Sequence, residues 1–174
     1  QTQRCGEILK KISKKQIKED SFFKNINLEN LLEEIIENFK ETSSKNIYLI
    51  TSEDKNKKNF KRTPELVYGL RNFIGNAVKF SRSSVEIKIT SNDRIVKVSI
   101  NDDGPGFPDD VIEILGEPYI KSKSSLVKSN SGTGLGTFLG KTLLERQMAN
   151  LTFTKDNNLG GASVVIIWSS INIL

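Results

Sequence analysis

Two stretches of alternating apolar and polar residues, 84–91 and 95–102, lie on either side of Asn92-Asp93. Alternation with a period of two places the apolar side chains on one face of a strand. Two such runs separated by turn-forming residues are typical of paired strands. The pattern therefore predicts an antiparallel hairpin with one buried face, and the rest of the chain must extend and cover it.

Two amphipathic helices precede this hairpin. Residues 27–42 predict the first, with Asn27 as N-cap and an apolar face of Leu28, Leu31, Leu32, Ile35, Ile36 and Phe39. Thr63-Pro64-Glu65 predicts the start of the second, because an N-cap hydroxyl, a proline and an acid favour a helix N-terminus. This helix should run to about Phe80, with a buried face of Leu66, Leu70, Phe73, Ala77 and Phe80.

The remaining patterns complete a two-layer architecture. We predict helices over 1–15, 108–115 and 135–148, strands over 21–26, 46–52, 150–155 and 162–168, a polar loop over 52–59, and a mobile Ser-, Lys- and Gly-rich segment over 116–133. Strands adjacent in sequence are expected to pair. The fold class is therefore α+β, a two-layer α/β sandwich whose mixed, mostly antiparallel sheet is covered on one face by helices.

The chain contains no histidine among its 174 residues. This excludes histidine-based acid–base catalysis, a Ser-His triad and any histidine metal ligand. It also excludes a phosphohistidine within this chain.

The chain is basic, with a formal net charge of +5, and 20 of its 26 cationic residues are lysines. These lysines are scattered, without the basic stripe or interleaved aromatics of a nucleic-acid surface, so we expect no nucleic-acid partner. No apolar run approaches the ~18–20 residues of a membrane span, so we expect no membrane contact by this segment. The single cysteine, Cys5, cannot form an internal disulfide.

Asn72, Asn76 and Lys79 recur at spacings of four and three on one stripe of the second helix. Amide oxygens are hard ligands for Mg²⁺, and a lysine ammonium is a point charge for phosphate oxygens. The stripe predicts a site for a hydrated Mg²⁺ with phosphates. Taken alone, it is more typical of a solvated helix face.

Asp102-Asp103-Gly104-Pro105-Gly106 closes the second strand of the hairpin. Glycines let the backbone turn sharply or approach a ligand closely. A carboxylate at a strand end can accept a hydrogen bond from the exocyclic amine of adenine, whereas guanine presents an oxygen there. The alternative is a plain turn, for which Asp, Pro and Gly are common residues.

Gly132-Thr133-Gly134-Leu135-Gly136 opens the last predicted helix. Backbone N–H groups at a helix N-terminus form an anion cradle. A Walker A loop is excluded, because Leu135 stands where its first glycine would be needed before Gly140-Lys141-Thr142. A Rossmann fingerprint is excluded by the absence of a parallel βαβ frame.

The order of these motifs resembles the Bergerat-fold ATPases and, within them, the catalytic domains of sensor histidine kinases. Residues 72–79 resemble the N box and 102–106 the G1 box. Residues 116–123 resemble the F box and the start of the ATP lid, and 132–136 resemble the G2 box. The resemblance covers roughly residues 25–168.

The resemblance implies binding of ATP and Mg²⁺. Asp102 would read the adenine amine, Asn76 would hold Mg²⁺, and Lys79 with the N–H groups near Gly134 would neutralise phosphate charge. Asn72 stands where related hydrolysing ATPases carry a glutamate, so slow hydrolysis is expected. The other implied nucleotide contacts are Gly104, Gly106, Tyr119, Lys123, Gly132, Thr133, Leu135 and Gly136.

A closer similarity is to the RegB-type redox sensor kinases, seen in Tyr68-Gly69-Leu70, in residues 115–119 and 141–146, and in the ending at Trp168. It implies a possible redox role for Cys5; the alternative is a small apolar residue on a helix face. Thr137 departs from the leucine usual after Gly136.

The same resemblance sets the expected organisation and partners. Residues 1–20 would be the end of the second dimerisation helix with a linker, and 21–174 the ATP-binding domain. The partners would be the protein's own dimerisation and phosphoacceptor domain and a response regulator. The segment would be cytoplasmic, in a protein anchored in the bacterial inner membrane. The alternatives are a hydrolysing ATPase or serine kinase of the superfamily, or a nucleotide-free interaction module.

Overall fold

The computed structural model describes residues 24–52, 58–109, 112, 115, 135–155, 157–170 and 173. Its strands and helices, in chain order, are β1 (Asn25–Asn27), α1 (Leu28–Lys40), β2 (Asn46–Thr51), β3 (Asn59–Lys61), α2 (Pro64–Phe80), β4 (Ser84–Ser91), β5 (Ile95–Asp102), α3 (Leu135–Arg146), β6 (Ala149–Thr154) and β7 (Ser163–Ser169). The predicted helix that ends at about Phe80 and the predicted paired strands at 84–91 and 95–102 are confirmed with the expected bounds.

The main sheet has five strands in the order β2-β4-β5-β7-β6. β2 pairs with β4 in parallel, and the other pairs are antiparallel, which confirms a mixed, mostly antiparallel sheet. The expectation that strands adjacent in sequence pair throughout was wrong, because β7 lies between β5 and β6. The reason is the burial of apolar surface. β7 (SVVIIWS) is apolar on both faces and is buried more completely in a central position, whereas β6 exposes Asn150 and Thr152 and therefore suits the edge.

A second, two-stranded sheet joins β1 to β3. Ile26 pairs with Phe60, so the chain before α1 is held against the chain before α2. β3 was not predicted, since Asn59 was assigned to the polar loop. Three residues with one buried side chain carry too little alternation to be recognised as a strand.

The hydrophobic core lies between one face of the main sheet and the helices. Alternate residues of β4 and β5, among them Val85, Ile87, Val98 and Ile100, are fully buried against α1 and α2. The predicted apolar faces of these helices are confirmed apart from Phe39 and Phe80, which are only half-buried at the ends of their helices. The helix starts follow the sequence signals: the Asn27 side chain accepts a hydrogen bond from Glu29 N (2.8 Å), and Thr63 Oγ1 accepts one from Leu66 N (3.2 Å).

Two glycines allow α2 and α3 to approach closely. A Cβ on Gly69 would lie 2.6 Å from Leu144 Cγ, and one on Gly140 would lie 2.9 Å from Phe73 Cε2. Leu144 and Phe73 are themselves buried, so neither can move aside freely. The two helices run antiparallel along this contact, so the first turn of α3 lies beside the polar stripe of α2.

Within the described part of the chain, none of the helices is long and apolar enough to cross a membrane.

Replacing Gly69 by alanine tests the helix contact. Alanine is the better helix former by about 1 kcal/mol. The added methyl group would nevertheless overlap Leu144, and overpacking costs roughly 1–3 kcal/mol. We therefore expect a net loss of stability in urea unfolding. The control is Tyr68→Ala at the preceding exposed position, which should change stability by about 0.5 kcal/mol or less. A Gly69→Ala variant more stable than the parent would contradict the packing described here.

Candidate functional site

Asn72 and Asn76 on α2 both face Gly136 in the first turn of α3. A Cβ on Gly136 would lie 3.7 Å from Asn72 Oδ1 and 3.7 Å from both amide atoms of Asn76. Asn72 Nδ2 donates to Tyr68 O (2.8 Å), and Asn76 Nδ2 donates to Thr137 Oγ1 (3.4 Å). Each amide nitrogen is thus bonded within the protein, and both amide oxygens border the space beside Gly136.

This arrangement fits a hard cation with its oxygen ligands. Amide oxygens are suitable Mg²⁺ ligands, and Mg²⁺ usually keeps several water or phosphate oxygens as well. A side chain at position 136 would fill the cradle that glycine leaves open. In the part of the chain that the structure describes, no group of three or more Asp, Glu, Cys or His side chains offers a competing metal site.

Lys79 lies on the same stripe, three residues beyond Asn76, and is exposed. Its Nζ is 5.2 Å from the centroid of the Phe80 ring, a cation–π distance. The ammonium therefore rests at the outer end of the polar stripe, at the C-terminal turn of α2. From there a long, flexible side chain can reach an anion bound along the helix.

Asp102 ends β5 and is only 5% exposed. Its Oδ1 accepts hydrogen bonds from Gly104 N (2.8 Å) and Ala162 N (3.2 Å), which fixes the orientation of the carboxyl group. Burial raises the pKa of this carboxyl above its usual value, against the opposing effect of the two backbone N–H groups. A buried, oriented carboxylate of this kind is typical of a functional position rather than of a plain turn.

Gly104 and Gly161 lie against Asp102, and Gly106 lies beside Gly161. A Cβ on Gly104 would lie 2.4 Å from Phe80 O, and one on Gly161 would lie 2.5 Å from Asp102 Oδ1. Gly106 has a φ of +77°, which favours glycine. Gly161 was not predicted as a site residue; the available signal was the doublet Gly160-Gly161 between two strands, which was read only as a turn.

Asp103, next to Asp102, has a different environment and a role that was not predicted. Its carboxylate accepts hydrogen bonds from the Ser83 hydroxyl (2.6 Å), Arg82 N (2.8 Å) and Ser83 N (3.0 Å). Burial alone would raise the pKa of Asp103, but these donors hold that pKa well below its usual value. Asp103 therefore stays ionised and binds the chain that follows α2.

Several predicted site residues lie outside the described residues. These are Cys5, Tyr119, Lys123, Gly132, Thr133 and Gly134, together with the side chain of Leu135. The predicted helix at 1–15, the segment 116–133, and half of both the strand at 21–26 and the helix at 108–115 lie outside them as well. The structure brings together Asn72, Asn76 and Gly136, and separately Asp102, Gly104 and Gly161.

Residues 62–171 match the family model described as histidine kinase-, DNA gyrase B-, and HSP90-like ATPase. The chain belongs to this family. The match includes both asparagines of α2, the turn at Asp102 and the start of α3.

Within the family, the chain is similar to sensor histidine kinases. It is 40% identical over 97 residues to the sensor histidine kinase RegB of Cereibacter sphaeroides, a match that covers 53% of this chain and 21% of that protein. It is 27% identical over 116 residues to the sensor histidine kinase CpxA of Escherichia coli K12, covering 62% of this chain and 25% of that protein. The chain thus spans about a fifth to a quarter of the length of these curated relatives.

Solved structures share the fold. The mycobacterial sensor histidine kinase MprB superposes with a TM-score of 0.71 at 17% identity, covering 84% of this chain and 97% of that one. Full-length ShkA in complex with AMPPNP superposes with a TM-score of 0.68 at 22% identity, covering 83% of this chain and 30% of that one. The fold is therefore that of a histidine kinase catalytic domain, as the motifs of the family predicted.

The environment of Asp103 predicts a pH dependence of stability. The pKa of Asp103 is lower in the folded than in the unfolded chain. Its contribution to the free energy of unfolding is therefore fully present above the unfolded pKa of about 3.9, and it is lost as the pH falls through the folded pKa. We expect Asp103→Asn to be less stable than the parent by about 1–2 kcal/mol at pH 7. The difference in the free energy of unfolding between the parent and Asp103→Asn should be smaller when urea unfolding is measured at pH 3. A difference that stays constant with pH would contradict the ionised role of Asp103.

Proposed function

We propose that this domain positions Mg-ATP for transfer of the γ-phosphoryl group to a histidine outside residues 1–174. The observation that carries the proposal is the pairing of two converging amide oxygens beside Gly136 with a buried, oriented carboxylate at Asp102. The amides lie along α2, and Asp102 ends β5 close to Phe80 at the C-terminal end of that helix. The chain belongs to the histidine kinase-like ATPase family.

Asp102 would select adenine. Its fixed carboxylate can accept a hydrogen bond from the exocyclic amine, while the carbonyl oxygen of guanine would face it with like charge. Gly104 and Gly161 lack the Cβ atoms that would displace the carboxyl group, and Gly106 allows the turn that ends the strand. The side chain and its glycines would act together as the base-recognition half of the site.

Asn72 and Asn76 would form the phosphate half. Asn76 Oδ1, with Asn72 Oδ1 beside it, would hold Mg²⁺, and the N-terminal turn of α3 would present backbone N–H groups to the phosphates. Mg²⁺, when bound, would neutralise charge on the phosphate oxygens. Lys79 would approach the same oxygens from the end of α2. Residues Gly132, Thr133, Gly134 and Leu135 before and within this turn, and Tyr119 and Lys123 in the preceding segment, are proposed to complete the contacts.

The chain itself supplies no phosphoryl acceptor, because it has no histidine. It also offers no carboxylate at position 72 to activate water, since the amide of Asn72 cannot act as a base. Positioning and electrostatics are the main contributions that phosphoryl transfer requires of a protein. We propose that the phosphoryl group is held here until a histidine of the dimerisation domain approaches.

The wider assembly is also a proposal. Residues 1–20 would belong to the second dimerisation helix and its linker, the full protein would act as a homodimer, and a response regulator would receive the phosphoryl group. A redox-sensing role involving Cys5 is part of this proposal, on the resemblance of the motifs to the RegB-type kinases. The full protein would be anchored in the inner membrane, with this domain in the cytoplasm.

Thermal unfolding with nucleotides tests the base-recognition half. Mg-ATP at 100 times its dissociation constant should add about 2.7 kcal/mol of stability. Mg-GTP should add little, and Asp102→Asn should abolish the ATP effect. Asp93→Asn, the same substitution at the other end of β5, is the matched control and should respond to ATP like the parent. Stabilisation by neither nucleotide would favour an interaction module without nucleotide binding.

Labelled ATP tests the phosphoryl-transfer proposal. We expect no label in the purified chain and only slow release of phosphate, because the chain lacks both the acceptor histidine and a base at position 72. Asp102→Asn serves as the background preparation, so that contaminating hydrolysis can be subtracted. Steady-state turnover clearly above that background would instead support a hydrolysing ATPase of the same family.

A further inference from the structure

The three residues between α2 and β4, Ser81-Arg82-Ser83, have every backbone polar group bonded. Ser81 N donates to Ala77 O (2.9 Å), and Ser83 O accepts from Asn46 N (2.8 Å). The other four groups are bonded by two charged side chains. Ser81 is buried, and Arg82 and Ser83 are exposed. Because all six backbone groups are nevertheless bonded within the protein, this connection is a defined structure rather than a loose turn.

The two side chains carry opposite charges, and they bind different backbone groups of the connection. Lys45 Nζ donates to Ser81 O (2.9 Å) and Arg82 O (2.5 Å). Asp103 accepts from Arg82 N (2.8 Å) and Ser83 N (3.0 Å). A lysine at a helix C-terminus also interacts favourably with the helix dipole, and hydrogen bonds to charged groups are among the stronger ones. The pair therefore fixes both the carbonyl and the N–H groups of the connection.

The connection lies between the two halves of the nucleotide site. Asn76 is one helical turn before Phe80, and Phe80 O abuts Gly104, where a Cβ would lie only 2.4 Å away. Asp103 stands in sequence between Asp102 and Gly104. The distance between the amide oxygens on α2 and the carboxylate of Asp102 therefore depends on the conformation of the segment that Lys45 and Asp103 bind.

We propose that Lys45 and Asp103 are positioning residues that keep the adenine half and the phosphate half of the site in register. This inference rests on the proposed function, and it names two residues that touch neither the base nor the phosphates. A ligand that spans two subsites gains affinity only when both can be engaged at once. Loss of register should therefore weaken binding of the intact nucleotide without weakening binding of its separate parts.

The test compares Lys45→Met and Asp103→Asn with the parent in NMR titrations of Mg-ATP, adenosine and magnesium tripolyphosphate. Lys45→Arg keeps a cationic donor and should rescue binding. Lys88→Met on an exposed position of β4 and Asp93→Asn before β5 are matched controls for the changes in charge. All titrations are run well below the unfolding temperature of each variant. The two positions test the same inference independently, so that one variant failing to fold leaves the other decisive.

We expect Mg-ATP affinity to fall by tenfold or more, on the order expected when bivalent engagement is lost, with adenosine and tripolyphosphate affinities unchanged within about twofold. Unchanged Mg-ATP affinity in both variants would overturn the inference alone. Equal losses for all three ligands would also overturn it, since they would indicate a general structural defect. Absence of Mg-ATP binding by the parent would overturn the proposed function and this inference with it.

Discussion

The close contact between α2 and α3 is the constraint on which the candidate site depends. It requires glycine at positions 69 and 140, because a Cβ at either position would overlap a buried side chain of the other helix. An adjoining face of α2 is packed into the core by Leu70 and Ile74. With α2 held on both of these faces, its polar stripe has a single orientation, and Gly136 is placed beside the two asparagines. The arrangement of Asn72, Asn76 and Gly136 is thus a consequence of helix packing.

Two adjacent aspartates, Asp102 and Asp103, differ in their surroundings and in the direction of their pKa shifts. Asp102 is buried, with burial raising its pKa, and its orientation is fixed by two backbone N–H groups. Asp103 has a lowered pKa and accepts hydrogen bonds from the segment after α2. Two residues of the same type, one position apart, are therefore held by different backbone segments. Asp102 is the last residue of β5 and is buried, whereas Asp103 follows the strand and binds the segment after α2.

Local patterns predicted much of the fold. The start and end of α2 followed from Thr63, Pro64 and the apolar spacing, and the hairpin from strict alternation around Asn92-Asp93. The position of β7 between β5 and β6 was predicted wrongly, because strand order depends on which strand buries most apolar surface on both faces. β3 was missed because its three residues are stabilised by pairing with β1, more than thirty positions earlier. The contacts of Gly161, Asp103 and Lys45 were missed for the same reason, since each residue contacts residues distant in sequence.

The sequence by itself determined which chemistry is available. It contains amides and a lysine on one helical stripe, a carboxylate followed by glycines, and no histidine, and these facts hold in any fold. Only the tertiary structure decided where that chemistry meets. The convergence of Asn72 and Asn76 on Gly136, and the enclosure of Asp102 by Gly104 and Gly161, arise from contacts between helices and strands far apart in the chain. Such contacts are set by how the whole apolar surface is buried, which no local spacing of residues encodes.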